Sequence, residues 1–377
     1  MSSMEEDEEE LPKVEFSAFA QALAERIRKN GAITLAEYMD ACIPEYYATR
    51  NPFGKEGDFT TSPEVSQMFG ELIGAWIADL WFQMGSPPKA QIVELGPGNG
   101  TLCADLMRAL GNWPECRAAM TVHLVENSEG MRRKQAEVLK EYSPAWYDRF
   151  EDVPPGTVFL VANEFIDALP IRQYVRKGKK WFEKMVTFNE EKGEFEYVLR
   201  EEPVELTPPK GYPKPIERDV LEINDLGRAV VENVAKRIRD HGGAALFIDY
   251  GLIKPNYGDT MQSYKRHKRV DALRNPGGQD VTADVDFSAL VAAAEPYAKV
   301  HGPIVQGAFL NALGIDQRAE AICQTATPAQ RGLTRLAVRK LTNATDMGAK
   351  FKVLGLTMKG ADIKPAGFAD GDDVSHN

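Results

Sequence analysis

Gln91-Ile92-Val93-Glu94-Leu95-Gly96-Pro97-Gly98-Asn99-Gly100 is the stretch whose reading decides the fold. A short apolar run ends in an acid, and glycines follow at every second position. Thr101-Leu102-Cys103-Ala104-Asp105-Leu106-Met107 then carries a helical pattern. That order predicts a buried strand over 91–95, a turn too tight for a Cβ, and a helix over 101–110. Glycines there let the backbone approach a ligand, and the helix start offers free N–H groups. A dinucleotide fingerprint, G-x-G-x-x-G, needs its last glycine where Thr101 stands, which disfavours a nicotinamide cofactor. The alternative is a tight turn that serves no ligand.

Working outward, strands are predicted at 121–125, near Arg149-Phe150, at 157–162 and at 244–250. Helices at 101–110, 131–139 and 224–239 lie between them. Alternation of this kind implies an α/β domain with a parallel, doubly wound sheet. Its ligand belongs beyond the strand C-termini, where Gly96, Gly98, Gly100, Glu126, Asp152 and Asn163 fall.

Upstream, Phe16, Phe19, Ala20, Leu23 and Ile27 share one helical face. Thr34 and Glu37 have the spacing of a capping box for a second helix. A turn-rich loop over 51–64 leads into a long helix over 65–81, with Ser62 as N-cap and Pro63 at the first helical position. Its residues Asp58, Phe59, Thr60 and Thr61 either close over a cofactor or merely precede that cap. Downstream, strands at 181–186 and 194–199 read as a β-hairpin insertion over 176–223. A loop insertion covers 252–286, and Asp286 is placed to cap a helix over 287–294. A helix near 329–340 and a last strand at 351–356 complete the core, read as 89–175 with 240–360. The helical part with its loop spans 15–88. The ends, 1–14 and 361–377, read as an acidic disordered tail and a frayed tail.

The chain has 377 residues, 43% of them apolar, which supplies a sizeable core. Net charge is −11, and the six acids from Glu5 to Glu10 supply more than half of it. Such acidity disfavours nucleic-acid binding, even with the basic run Lys265-Arg266-His267-Lys268-Arg269. Cys42, Cys103, Cys116 and Cys323 form no C-x-x-C pair, and the five histidines are scattered, so no metal site is expected. Asp280, Asp284 and Asp286 alternate but read as turn and cap residues. No apolar run reaches the roughly 18 residues of a membrane span. Residues 1–10 resemble neither a secretory signal nor a transit peptide, which predicts a cytoplasmic, bacterial protein.

At the crevice, a carboxylate at Glu126 can accept both hydroxyls of a ribose, and Asp152 is placed to meet an adenine amine. Glu94 lies beneath the glycine turn and either accepts backbone N–H groups or faces a ligand ammonium. Asn163 precedes Glu164 and Asp167, which stand three apart. The two acids could present paired carboxylates to one guanidinium, or they are simply helix-start acids favoured by the macrodipole.

The E-x-G-x-G-x-G run from Glu94 to Gly100 resembles motif I of class I S-adenosylmethionine (AdoMet) methyltransferases. Gly57-Asp58-Phe59-Thr60-Thr61-Ser62-Pro63-Glu64, Asn163 to Pro170, Asp249-Tyr250-Gly251, Asp280 to Phe287 and Gln306-Gly307-Ala308-Phe309-Leu310 accompany it in order. Together they resemble the MidA-like family, over roughly residues 15 to 360. The resemblance implies a Rossmann-like, seven-stranded, mostly parallel sheet with an N-terminal helical part and insertions. It also implies AdoMet as cofactor and methyl transfer to an arginine of a partner protein, such as a respiratory complex I subunit. An AdoMet-binding assembly chaperone without turnover and a small-molecule methyltransferase remain as rivals, and a homodimer is left open.

Overall fold

The computed structural model describes residues 16–49, 60–265 and 268–368. Seven strands form the central sheet: β1 (Ala90–Leu95), β2 (Met120–Val125), β3 (Ala145–Tyr147), β4 (Val158–Asn163), β5 (Gly243–Leu252), β6 (Lys299–Val305) and β7 (Phe351–Thr357). Their spatial order is β6-β7-β5-β4-β1-β2-β3. β7 runs antiparallel to both neighbours, and the other pairings are parallel. A two-residue strand, Val285–Asp286, adds to the end of β5.

The pleat sorts the side chains into two cores. Ile92, Phe159, Val161, Leu246 and Ile248 face the helices Gln67–Gln83 and Thr101–Leu110. Val93, Leu95, Leu160, Ala162 and Phe247 face the helices Asp225–His241 and Phe287–Ala294. Both faces being covered, β4 is buried along its whole length, as parallel strands usually are. The strand order turns back between β1 and β4, and this opens the crevice at their C-terminal ends.

On the first face two helices touch almost backbone to backbone. A Cβ at Gly74 would stand 2.7 Å from the Leu106 carbonyl oxygen and 3.0 Å from Ala109 Cβ. A Gly74→Val variant therefore forces the helices apart. We expect a loss of about 3 kcal/mol, more than any helix-propensity gain of under about 1 kcal/mol. A urea unfolding midpoint equal to that of the parent would contradict this packing.

Several local expectations match the structure. Helix Thr101–Leu110 has the predicted ends. Thr34 and Glu37 form the reciprocal capping bonds, at 2.8 and 3.1 Å. Asp286 accepts the Ser288 and Ala289 N–H groups.

Others shift. The long helix is broken at Ser66, whose backbone is extended and whose Oγ caps Gln67–Gln83; a one-turn helix, Ser62–Val65, precedes it. Ser62 is not its cap, because its hydroxyl turns inward onto Gln306. The third strand ends at Tyr147 rather than near Phe150, because Phe150 drops into the second core.

Strands Arg172–Lys177, Lys180–Asn189, Glu194–Leu199 and Val220–Ile223 form an antiparallel sheet that also takes in Ile33–Thr34. It is broader than a hairpin. Helix Ala18–Asn30 packs Leu23 and Ile27 on it, together with Val186 and Phe195. Helix Leu35–Thr49, joined to the same sheet, carries Ile43, Pro44 and Tyr47 to the rim of the crevice.

Candidate functional site

Gly96, Gly98 and Gly100 take φ values of +60°, +52° and +83°, a region open to glycine and strained for other residues. A Cβ at Gly96 would lie 2.8 Å from the Phe165 ring. Gly100 caps Thr101–Leu110 without a side chain to offer. Glu94 fills that role from beneath: its carboxylate accepts the N–H of Cys103, the third helical residue. Burial nevertheless pushes Glu94 up to about 8.

The turn forms one wall of a cavity of about 650 Å³. Glu126, at the end of β2, accepts the Ser128 N–H at 2.8 Å and the Gln135 side-chain amide at 3.1 Å. Gln135 also donates to the Gly98 carbonyl at 2.8 Å and accepts from the Trp146 indole, so one buried amide ties turn, acid and third strand together. Glu64 reaches the same turn from the opposite side, accepting from Thr101 at 2.7 Å and Asn99 at 3.2 Å.

Further acids line the cavity after β4. Glu164 follows β4 at φ +51°, a strained conformation for a non-glycine residue, costing about 1–3 kcal/mol. Its Oε1 accepts the Ser62 N–H at 3.0 Å and the Asn163 amide at 3.1 Å. Asp249 anchors the loop: its Oδ2 accepts the N–H groups of Ile166 and Asp167 at 2.9 and 3.1 Å. Burial pushes Glu164 up to about 8, against the Ser62 N–H that holds it down, and the charge of Asp167 raises it further. Burial likewise lifts Asp167 to about 7, opposed by the Tyr250 hydroxyl. Asp249 is raised by burial and by Asp167.

Glu94 Oε2, Asn163 Oδ1 and Asp167 Oδ1 are buried and have no hydrogen-bond partner among the described residues, and all three residues line the same cavity. An unsatisfied buried oxygen costs about 1–3 kcal/mol. Three around one space favour a ligand that brings hydrogen-bond donors and positive charge.

Of the residues singled out in the sequence, Glu94, Gly96, Gly98, Glu126, Asn163, Glu164 and Asp167 meet in this cavity. Gly100 shapes the turn without lining the cavity, and of the loop residues expected there Thr61 lines it and Thr60 does not. Asp58 and Phe59 lie outside the described residues. Asp152 is corrected: it sits on an exposed turn, and the acid that follows β3 and lines the cavity is Asp148, paired with Arg132 at 2.6 Å.

Sequence reasoning had assigned no role to Glu64, Gln135 or Asp249. Glu64 and Asp249 lay within quoted motifs, whereas Gln135 was one polar residue of an amphipathic helix, with no local sign of burial. Among the described residues no three His, Cys, Asp or Glu side chains are grouped to hold a metal, and no helix is long and apolar enough to cross a membrane.

A family model described as an S-adenosyl-L-methionine-dependent methyltransferase matches residues 72–304. The mitochondrial protein arginine methyltransferase NDUFAF7 homolog of Drosophila melanogaster is 36% identical over 374 residues, covering 90% of this chain and 84% of its own. The mitochondrial protein arginine methyltransferase NDUFAF7 of Homo sapiens is 35% identical over 363 residues, with 88% and 81% covered. A solved superfamily structure from Burkholderia thailandensis, bound to S-adenosyl-homocysteine, matches with TM-score 0.80 at 26% identity, over 94% of this chain and 95% of that one. The expectation of a cytoplasmic bacterial protein is corrected by these findings, since the curated relatives are mitochondrial proteins of animals. That expectation leaned on the composition of a few residues, whereas a cellular address is read by receptors and is not written in the fold.

Proposed function

Because this chain belongs to that family of AdoMet-dependent methyltransferases, we propose that it methylates an arginine side chain of a partner protein. Arginine as acceptor is supported by the paired acids Glu164 and Asp167 in the glycine-lined cavity. It is supported also by the relatives named protein arginine methyltransferases. A respiratory complex I subunit is the partner that the family resemblance implies.

The cavity's residues fit AdoMet. Gly96 and Gly98 line the cavity with backbone alone, at φ values that favour glycine, and the Glu94 oxygen left without a partner among the described residues suits an ammonium. Glu126 suits the ribose hydroxyls, and Asp148 takes over the adenine-facing role first given to Asp152. When bound, AdoMet supplies a methyl group whose C–S bond breaks as the acceptor C–N bond forms, leaving a neutral thioether. Glu164 and Asp167 hold the guanidinium plane and keep electron density on the attacking nitrogen, so alignment and electrostatics carry the rate. The methylated nitrogen sheds one proton, and we read Asp167, whose carboxyl is raised to about 7, as the group that takes it.

The experiment is incubation with methyl-labelled AdoMet and a whole-cell extract, followed by acid hydrolysis. Label in methylarginine supports the proposal. Label confined to small molecules overturns the arginine assignment, and no label at all overturns turnover.

The raised carboxylates also set a pH dependence. Glu94 and Glu164 near 8 and Asp167 near 7 are largely protonated at pH 6 and ionised by pH 9. These acids hold their protons more tightly folded than unfolded. The free protein therefore loses stability as pH rises from the ordinary carboxylate range through about 8. A cationic ligand binds the ionised form, so its affinity rises over the same window, by up to about tenfold per unit per group. Calorimetric titration of AdoMet at pH 6 and pH 9 checks this. Equal affinity at both would show that these acids do not meet the cation.

A further inference from the structure

We propose that Glu64 is a positioning residue: it fastens the one-turn helix Ser62–Val65 to the glycine turn, and that helix in turn orients Glu164. This deepens the arginine methyltransferase reading and rests on it. One oxygen of Glu64 accepts both the Thr101 hydroxyl, at 2.7 Å, and the Asn99 amide, at 3.2 Å. Thr101 stands where a dinucleotide fingerprint would place its last glycine, which could bring no hydroxyl. Two residues before Glu64, the Ser62 N–H donates to Glu164 Oε1 at 3.0 Å. The Thr61 carbonyl accepts the N–H groups of Glu64 and Val65, so Ser62 and Glu64 belong to a single closed turn. That turn touches the cofactor side of the cavity with one residue and the acceptor side with another.

Glu164 depends on this support more than the glycine turn does. Its φ of +51° is a conformation that persists only where the surroundings fix it. Among the described residues both hydrogen bonds to its carboxylate, from Ser62 and from the Asn163 amide, fall on Oε1, which leaves Oε2 to meet a guanidinium. The glycine turn has other anchors, because Glu94 accepts the Cys103 N–H and Gln135 holds the Gly98 carbonyl. Loss of Glu64 therefore loosens the acceptor side more than the cofactor side. The ground beneath the bridge is firm. Helix Gln67–Gln83, which follows it, lies so close to Thr101–Leu110 that a Cβ at Gly70 would stand 2.6 Å from Asp105 Cβ. A second hold on the segment is the Ser62 hydroxyl on Gln306, at 3.3 Å. The carboxylate bond at 2.7 Å is shorter and, being charge-assisted, the stronger of the two.

The test compares Glu64→Ala and Glu64→Gln in the full chain. The rate of methylarginine formation is measured with saturating methyl-labelled AdoMet and a whole-cell extract. Glu64→Ala should lower it by about tenfold or more, the worth of one charge-assisted hydrogen bond, while S-adenosyl-homocysteine affinity falls by less than about threefold. Glu64→Gln should recover most of the loss, because an amide oxygen still accepts from Thr101 and Asn99. In a Glu164→Ala background, Glu64→Ala should cost nothing further, since residues that act through one another are not additive. Additive losses overturn the proposal. So does a Gln variant no better than the Ala variant, which would make the charge of Glu64 a direct cofactor contact. Hydrogen exchange needs no turnover. Over residues 62–65 it should quicken in Glu64→Ala and return to the parent rate in Glu64→Gln, and unchanged exchange overturns the bridge. No methylarginine from the wild type, with exchange behaving as expected, would instead overturn the activity reading, so the two failures are distinguishable.

Discussion

Glu164→Gln is expected to lower methyl transfer by about 10²–10³-fold, the usual cost of removing one preorganised electrostatic partner. The substitution is nearly isosteric, and a Gln oxygen can still accept the Ser62 N–H that Glu164 Oε1 now accepts at 3.0 Å. The loop geometry should survive, and only the charge is lost. Burial and the neighbouring Asp167 already oppose ionisation of Glu164. Removing the charge should therefore leave the melting temperature equal or higher. Affinity for S-adenosyl-homocysteine should change little, because Glu94, Glu126 and the glycine turn are left untouched by the substitution. Single-turnover rates at saturating AdoMet, measured beside calorimetric binding, separate the two effects. Full activity in this variant would remove Glu164 from the reaction.

Gly96→Val acts on the glycine turn, and its failure should be one of binding. A β-branched residue at φ +60° is strained by about 1–3 kcal/mol, and its Cβ would meet the Phe165 ring at 2.8 Å. Phe165 itself lines the cavity, so moving it spreads the damage. Affinity for S-adenosyl-homocysteine should fall by about a hundredfold or more, equivalent to at least about 2.7 kcal/mol. An unchanged far-UV spectrum with lost binding is the expected pair of results. Unimpaired binding would mean that the cofactor does not pass over this turn.

What could be read from the sequence was local. The Glu94 to Gly100 run, the Thr34–Glu37 capping pair and the Asp286 cap are set by residues within a turn of one another. Parallel strands with covered faces announce themselves as apolar runs, as at 157–162. Long-range pairing could not be read in this way. The third strand is defined by its register with β2, His123 opposite Ala145 and Val125 opposite Tyr147. Nothing near Asp148 says that the strand stops there, so the local pattern points four residues too far, to Asp152. Gln135 matters because Trp146, Gly98 and Glu126 converge on it. Its own surroundings in the helix, Lys134 and Ala136, carry no sign of this. The breadth of the second sheet was hidden for the same reason, since Ile33–Thr34 pairs with Val186 and Met185 from far down the chain.

That last pairing has a consequence for how the chain is made. Helices Ala18–Asn30 and Leu35–Thr49 leave the ribosome well before Lys180–Asn189, the strand they rest on. At ordinary elongation rates the wait is about ten seconds. For that interval Leu23, Ile27, Tyr38 and Met39 have no native surface to cover them. The nascent amino-terminal portion is therefore the segment that holdase chaperones should shield first, and a ribosome stalled before Val186 should display it to proteases.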